Sequence, residues 1–331
     1  MRIRNTLLAM AAVFSLAIAA GFYAVHVPRA HRTTTPVEIP RGTPLRSIAA
    51  ILEEQDIVSN DLLFIVAAKL SDKGRHLQSG LYLFPPHLSM MDVLTILSEG
   101  SHQAFHDVTI REGLTLRQIA HEVERKTGFA ADTILKLSRD PAFLHELGVT
   151  APSLEGYLLP ETYRVRYDET PRALLRRAVH DQERLFTEEA YQRMRTLRRT
   201  KQEILIMASL VEGETRQADE RPRVAGVYYN RLRRGMLLQA DPTIQYIIPD
   251  GPRRLMYRDL SINSPYNTYM YPGLPPGPVN NPGKESILAA LAPETHDFLY
   301  FVADGHGGHT FSRNVEEHNR AVAAYRKARR K

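Results

Sequence analysis

A repeated pattern constrains this chain more than any single motif. Val37-Glu-Ile-Pro-Arg-Gly-Thr-Pro-Leu-Arg-Ser-Ile-Ala is echoed by Val108-Thr-Ile-Arg-Glu-Gly-Leu-Thr-Leu-Arg-Gln-Ile-Ala. Val37, Ile39, Gly42, Leu45, Arg46, Ile48, Ala49 and Glu53 recur in register as Val108, Ile110, Gly113, Leu116, Arg117, Ile119, Ala120 and Glu124. The alternation V-x-I has the two-residue period of a half-buried strand, and L-x-x-I-A has the spacing of a helix stripe. With the glycine as the turn between them, each copy predicts a small strand–turn–helix unit. Between the copies, residues 60–70 read as a helix, Gly80-Leu-Tyr-Leu-Phe as a strand and residues 91–97 as another helix. A chain that mixes these elements so closely is α+β.

The N-terminus says where such a chain resides. Residues 5–25 carry no charge, and the run from Leu7 to Val25 is long enough for a bilayer, which takes roughly 20 residues. Two readings fit. One is an uncleaved anchor with a short cytoplasmic tip. The other is a signal peptide cut after Ala17-Ile-Ala. Apolar residues continue past that site, so the anchor over residues 1–27 is the expectation. Both readings export the remainder. Residues 28–35 then form a linker, residues 36–106 a first module and residues 107–331 a second, larger domain.

Beyond residue 107, residues 171–197 read as one long amphipathic helix, 201–214 as a second and 222–234 as a third, with Pro222 suited to a helix start. Residues 239–283 form a Pro-, Gly-, Tyr- and Asn-rich segment too long for an ordinary connection, and such segments usually carry function. A strand over residues 298–303, a hairpin partner over 309–312 and a terminal helix over 315–329 complete the domain.

Several chemistries are excluded by what is missing. The chain has no cysteine, hence no disulfide, thiolate nucleophile or cysteine metal site. It has no G-x-S-x-G, no H-E-x-x-H and no phosphate-binding glycine loop. The net charge of +6 is concentrated at the two ends, where it suits an anionic lipid or polymer without demanding nucleic acid. His306 and His309 cluster in a Gly-rich turn near Asp304, an arrangement closer to solvated imidazoles than to a metal site. No metal and no cofactor are expected.

One helix is more informative. In Ile204-Leu-Ile-Met-Ala-Ser-Leu-Val-Glu-Gly-Glu-Thr, helical periodicity places Ile204, Met207, Leu210, Val211 and Glu214 on one stripe, with Glu212 about 160° away. An acid ending an apolar stripe sits at the core's edge, where desolvation raises its pKa, as a proton donor at neutral pH requires. A helix-terminal Glu turned to water fits the pattern equally. Gly213 weakens the helix and permits close approach of a ligand.

Here a resemblance enters. Met207-Ala-Ser-Leu-Val-Glu-Gly-Glu-Thr, Glu220-Arg, Val224-Ala-Gly-Val-Tyr-Tyr-Asn-Arg-Leu, Leu238-Gln-Ala-Asp-Pro-Thr, Tyr266-Asn-Thr-Tyr, Gly273-Leu-Pro-Pro-Gly-Pro, Asn281-Pro-Gly and Tyr300-Phe-Val-Ala-Asp-Gly-His-Gly-Gly-His-Thr-Phe resemble the endolytic murein transglycosylases, the MltG or YceG-like family. Upstream, Glu155-Gly-Tyr-Leu-Leu-Pro-Glu-Thr-Tyr resembles another segment of that family, and residues 36–106 resemble a LysM-type module, which commonly binds N-acetylglucosamine polymers. The likeness covers the whole chain. It implies cleavage of the MurNAc–GlcNAc β-1,4 bond within peptidoglycan strands, leaving 1,6-anhydro-MurNAc ends. It also implies a single-pass inner-membrane protein with its catalytic part in the periplasm, acting near peptidoglycan synthases to end nascent strands. The second Glu of the family's E-x-E-T segment, its catalytic acid–base, falls on Glu214. Gly213 departs from relatives that often carry Lys there. Gln239, Asp241, Tyr266, Asn267 and Tyr269 are the candidates for holding glycan, and for each the competing role is bracing its own loop. Two other classes remain open. A non-catalytic peptidoglycan-binding scaffold would show Glu214 exposed and far from any cleft, and a pyridoxal-phosphate lyase would need a cofactor lysine, for which Lys201 and Lys284 are the only lysines near the motifs.

Overall fold

The computed structural model describes residues 2–28, 33–249 and 251–328. Residues 29–32 of the expected linker, Met1, and the basic Arg329, Arg330 and Lys331 lie outside them. The chain divides into two compact units, one of Met1–His106 with Arg164–Glu169, the other of Asp107–Tyr163 with Thr170–Lys331.

The first unit begins with helix α1 (Arg2–His26). Met10, Val13, Phe14 and Leu16 are exposed on it, while Val25 packs against the unit's core. Among the described residues no helix is long and apolar enough to cross a membrane. Then follow β1 (Thr35–Ile39), α2 (Leu45–Glu54), α3 (Asp61–Leu70), β2 (Gly80–Phe84), α4 (Met90–Glu99) and the start of β3 (Phe105–Thr109). β1 and β2 pair antiparallel, from Thr35 opposite Phe84 to Ile39 opposite Gly80. The period-two burial of Val37 and Ile39 turns them onto a core of Ile48, Leu52, Phe64, Tyr82, Phe84, Leu94 and Leu97. Residues 164–169 return to this unit, where Arg164 lies over the Phe105 ring and Asp168 accepts a hydrogen bond from Ser79 at 2.7 Å. Nothing local in the sequence announces that excursion.

The second unit continues with α5 (Leu116–Thr127), α6 (Ala131–Leu137), α7 (Pro141–Glu146), β4 (Thr162–Arg166, paired with β3), α8 (Pro171–Glu183), α9 (Glu188–Leu197), α10 (Lys201–Glu214), α11 (Arg221–Arg233), α12 (Asp241–Ile247), α13 (Lys284–Leu291), β5 (Tyr300–Ala303), β6 (His309–Ser312) and α14 (Val315–Ala328). Both repeat copies take the expected strand–turn–helix form. Their glycines, Gly42 at φ +78° and Gly113 at φ +74°, occupy the left-handed region that a side chain disfavours. The single helix expected over residues 171–197 is in fact two. Phe186 is buried at the break, and Thr187 caps the second helix by accepting from the Ala190 N–H. Helix α10 is the axis of this unit, packed by α11, α12 and α13. Every residue from Ile204 to Val211 is buried, so α10 is enclosed on all sides rather than amphipathic.

Candidate active site

Glu214 is the last residue of α10, and it emerges half-buried from the core that encloses the rest of that helix. Its Oε1 accepts a hydrogen bond from the Tyr228 hydroxyl at 2.6 Å, and its carboxyl also accepts from the Asp241 backbone N–H. Burial pushes its pKa up to about 7, and the nearby Asp241 carboxylate adds to the rise. The Tyr228 bond, the Arg231 guanidinium and the Asp241 N–H act in the opposite direction. A carboxyl balanced in this way can give and take a proton near neutrality.

Two helices build this setting. On α11, Tyr228 and Arg231 lie three residues apart and so share a face. Arg231 is buried, donates to the Leu238 carbonyl at 2.6 Å and the Leu299 carbonyl at 2.7 Å, and lies over the Tyr300 ring. Burial lowers its pKa, and the ring hydroxyls of Tyr228 and Tyr300 and the Glu214 carboxyl oppose that fall. At the start of α12, Pro242 sits so close to α10 that a Cβ on Gly213 would lie 2.4 Å from its Cγ. The close approach that Gly213 permits is therefore that of Pro242, not of a ligand. A side chain in this place would push α12 away from Glu214.

The five expected glycan-binding residues separate. Asp241 is exposed beside Glu214, and its Oδ1 accepts from the Tyr269 hydroxyl at 2.5 Å. Burial and that bond raise the Tyr269 pKa. Gln239 is exposed and left-handed at φ +51°, a conformation costly for a residue with a side chain. It is held there because its own N–H and that of Ala240 bond to the Thr268 carbonyl and hydroxyl. Tyr266 is apart from this group, tilted against Tyr246 at 5.0 Å. Asn267 is held within its own loop. It is fully buried, its amide nitrogen donates to the Leu260 and Ile262 carbonyls, and its Oδ1 accepts from the Tyr269 N–H. Both its N–H donors and its Oδ1 are engaged in bracing the loop and orienting Tyr269.

Several residues that matter here gave no local signal. Tyr228 and Arg231 were only letters within a longer motif. Glu155 is a second buried carboxyl, pushed by burial to about 7, whose oxygens cap α5 at the Leu116 N–H. Glu212 is held by partners of its own. Its Oε2 accepts from the Gly283 N–H at 3.0 Å and from Ser286 at 2.7 Å, and Arg221 faces its other oxygen. Lys201 pairs with Glu183 and Lys284 is exposed, so neither stands in the site.

A model of one protein family matches residues 37–324 of this chain. The chain belongs to the YceG-like family. Among curated members, the chain is 32% identical to the endolytic murein transglycosylase of Bacillus subtilis, over 90% of this chain and 87% of that one. It is 31% identical to the protein of the same name from Streptococcus pneumoniae serotype 2, over 87% of this chain and 58% of that one. A crystal structure of a yceG-like protein from Listeria monocytogenes superposes with a TM-score of 0.61 at 32% identity, covering 87% of this chain and 98% of that one.

Removing the Tyr228 hydroxyl should move the pH profile in a known direction. That hydroxyl favours ionised Glu214, so its loss in Tyr228→Phe raises the Glu214 pKa further. The acid must be protonated to act, so the fall of kcat/KM at high pH should shift to higher pH, while the ring's edge-on contact with Phe301 is kept. An unchanged profile, or one displaced to lower pH, would refute the assignment of Tyr228.

Proposed function

We propose that this chain is an endolytic murein lytic transglycosylase, a carbon–oxygen lyase in which Glu214 is the only protein group that moves a proton. The observation that carries the reading is a half-buried carboxyl raised to about 7 at the end of α10, bonded by Tyr228 and beside the Asp241 that Tyr269 holds. Ordinary glycosidases use two carboxyl groups, one as acid and one as nucleophile or as base for water. Here the MurNAc C6 hydroxyl replaces the second. Glu214 protonates the departing GlcNAc O4 as the C1–O4 bond breaks. As the C1–O6 bond forms, the resulting carboxylate takes the C6 hydroxyl proton, so Glu214 ends as it began. Proximity within one sugar ring supplies what a second protein group would otherwise provide. Asp241, Tyr269 and Gln239 line the approach and orient the glycan.

The same reading makes α1 the inner-membrane anchor, with the chain that follows it in the periplasm, where residues 36–106 grip glycan and peptidoglycan synthases supply nascent strands. Its support is the uncharged stretch of residues 5–25 and the exposed apolar side chains of α1. The full-length protein should sediment with inner membranes and resist extraction by high salt or carbonate. A soluble periplasmic form beginning near Ala20 would overturn the anchor. The enzymatic reading is tested by incubating purified protein with uncross-linked glycan strands and following chain length. Internal cleavage shortens the whole distribution early, whereas stepwise loss of terminal disaccharides or no change contradicts it.

A further inference from the structure

The Gly-rich turn of the sequence, which no role above absorbs, holds a side chain arranged to bind. His309 Nδ1 lies 2.7 Å from Glu220 Oε2, and the His309 backbone N–H donates to Glu220 Oε1 at 2.8 Å. Glu220 is itself 9% exposed, so this is a built contact and not a surface encounter. A carboxylate only accepts, so the ring must carry its proton on Nδ1. That leaves Nε2 as the outward hydrogen-bonding atom, an acceptor when the ring is neutral, and no partner reaches it among the described residues.

The pair also adjoins Glu214. Glu220 Oε2 accepts from Thr215, the residue after Glu214, at 3.4 Å. Phe301 meets the Tyr228 ring edge-on at 6.0 Å and the His309 ring edge-on at 5.4 Å, so the rings form one continuous wall from the Glu214 partner to His309. The other ends of the turn are closed. Asp304 Oδ1 accepts the His306 and Gly308 backbone N–H groups, and Gln217 donates to the Gly307 carbonyl. The turn thus presents His309 and fixes it from two sides.

We propose that His309 is a glycan-binding residue, whose Nε2 accepts a hydrogen bond from a hydroxyl of a sugar unit flanking the scissile bond, with Glu220 as the positioning residue that sets its tautomer. This rests on the peptidoglycan reading above. It makes a distinctive demand of Glu220→Gln. The amide has one acceptor oxygen for the two His309 donors, so either the backbone N–H loses its partner or Nδ1 becomes an acceptor and Nε2 a donor. Both outcomes disturb the arrangement without changing side-chain shape.

The test measures binding of the full-length protein to uncross-linked glycan strands in a Glu214→Gln background, where no cleavage intervenes. Loss of one such hydrogen bond corresponds to roughly 2- to 10-fold in affinity. His309→Ala should weaken binding by about that factor, and Glu220→Gln should do likewise. His309→Gln, which can place a carbonyl oxygen near the Nε2 position, should recover most of it. In the otherwise native enzyme the same changes should raise KM more than they lower kcat. If His309→Ala misfolds, the isosteric Glu220→Gln still decides. Unchanged affinity in Glu220→Gln or in a folded His309→Ala overturns the proposal. Failure of the Glu214→Gln parent to bind strands at all would instead remove the peptidoglycan reading on which it rests.

Discussion

Glu214→Gln should abolish strand cleavage while leaving the fold intact. Glutamine keeps the shape and can still accept from the Tyr228 hydroxyl, but it has no proton to transfer. General acid–base catalysis contributes about 100- to 10,000-fold, and with a single carboxyl serving both steps the loss should reach the upper end of that range. Stability should not fall. A carboxyl whose folded pKa of about 7 exceeds its ordinary 4.5 has stability that is full below 4.5 and lost as pH rises towards 7. The neutral amide escapes that loss, so at pH 8 the variant should melt at or above the parent's temperature. Glu212→Gln should do the reverse. Its carboxylate holds the Gly283 N–H, Ser286 and Arg221, so replacing it should lower the melting temperature while kcat falls far less. Comparable loss of kcat in both variants, or unfolding of Glu214→Gln, contradicts the division of roles.

The second large effect is expected at a residue remote from the chemistry. Asn281 is fully buried and joins three segments. Its Oδ1 accepts from the Gly156 and Leu158 N–H groups at 3.0 and 3.1 Å, and its amide nitrogen donates to the Leu114 carbonyl and to Glu155 Oε1. Its own backbone exchanges bonds with Leu114 and Gly113. Asn281→Ala strands the Gly156 and Leu158 N–H donors, while the Leu114 carbonyl keeps the backbone N–H of residue 281 and Glu155 Oε1 keeps that of Leu116. A buried polar group without a partner costs about 1–3 kcal/mol, and water entering the cavity would recover part, so a net loss of about 3–5 kcal/mol is expected. At about 2–4 °C per kcal/mol for a unit of this size, the transition should fall by roughly 10 °C. A melting temperature within 2 °C of the parent's would show that this junction does not hold the second unit together.

How much of this was legible in the sequence depended on whether the determinant was local. The two strand–turn–helix copies were legible because period, glycine and helix stripe lie within a dozen residues. The break between α8 and α9 was not, because helix formers run through it, and only the burial of Phe186 and the Thr187 cap decide it. For Glu214 the stripe argument is only half right. The stripe from Ile204 to Val211 is buried on every side, so periodicity could not separate Glu214 from Glu212. What separates them is their partners: Tyr228 and the start of α12 for one, the start of α13 and Arg221 for the other. Those partners lie far along the chain and have no local pattern. The same limit applies to Asn267, whose place in a Tyr-Asn-Thr-Tyr segment suggested glycan contact, while its buried amide holds the loop that carries Tyr269.

The central claim is that Glu214 works with the sugar's own C6 hydroxyl and not with water. It is tested most directly by mass spectrometry of strand ends released from purified sacculi in water labelled with heavy oxygen. The account predicts new 1,6-anhydro-MurNAc ends that carry no solvent oxygen and that vanish in Glu214→Gln. New reducing MurNAc ends bearing the label would show hydrolysis and contradict it.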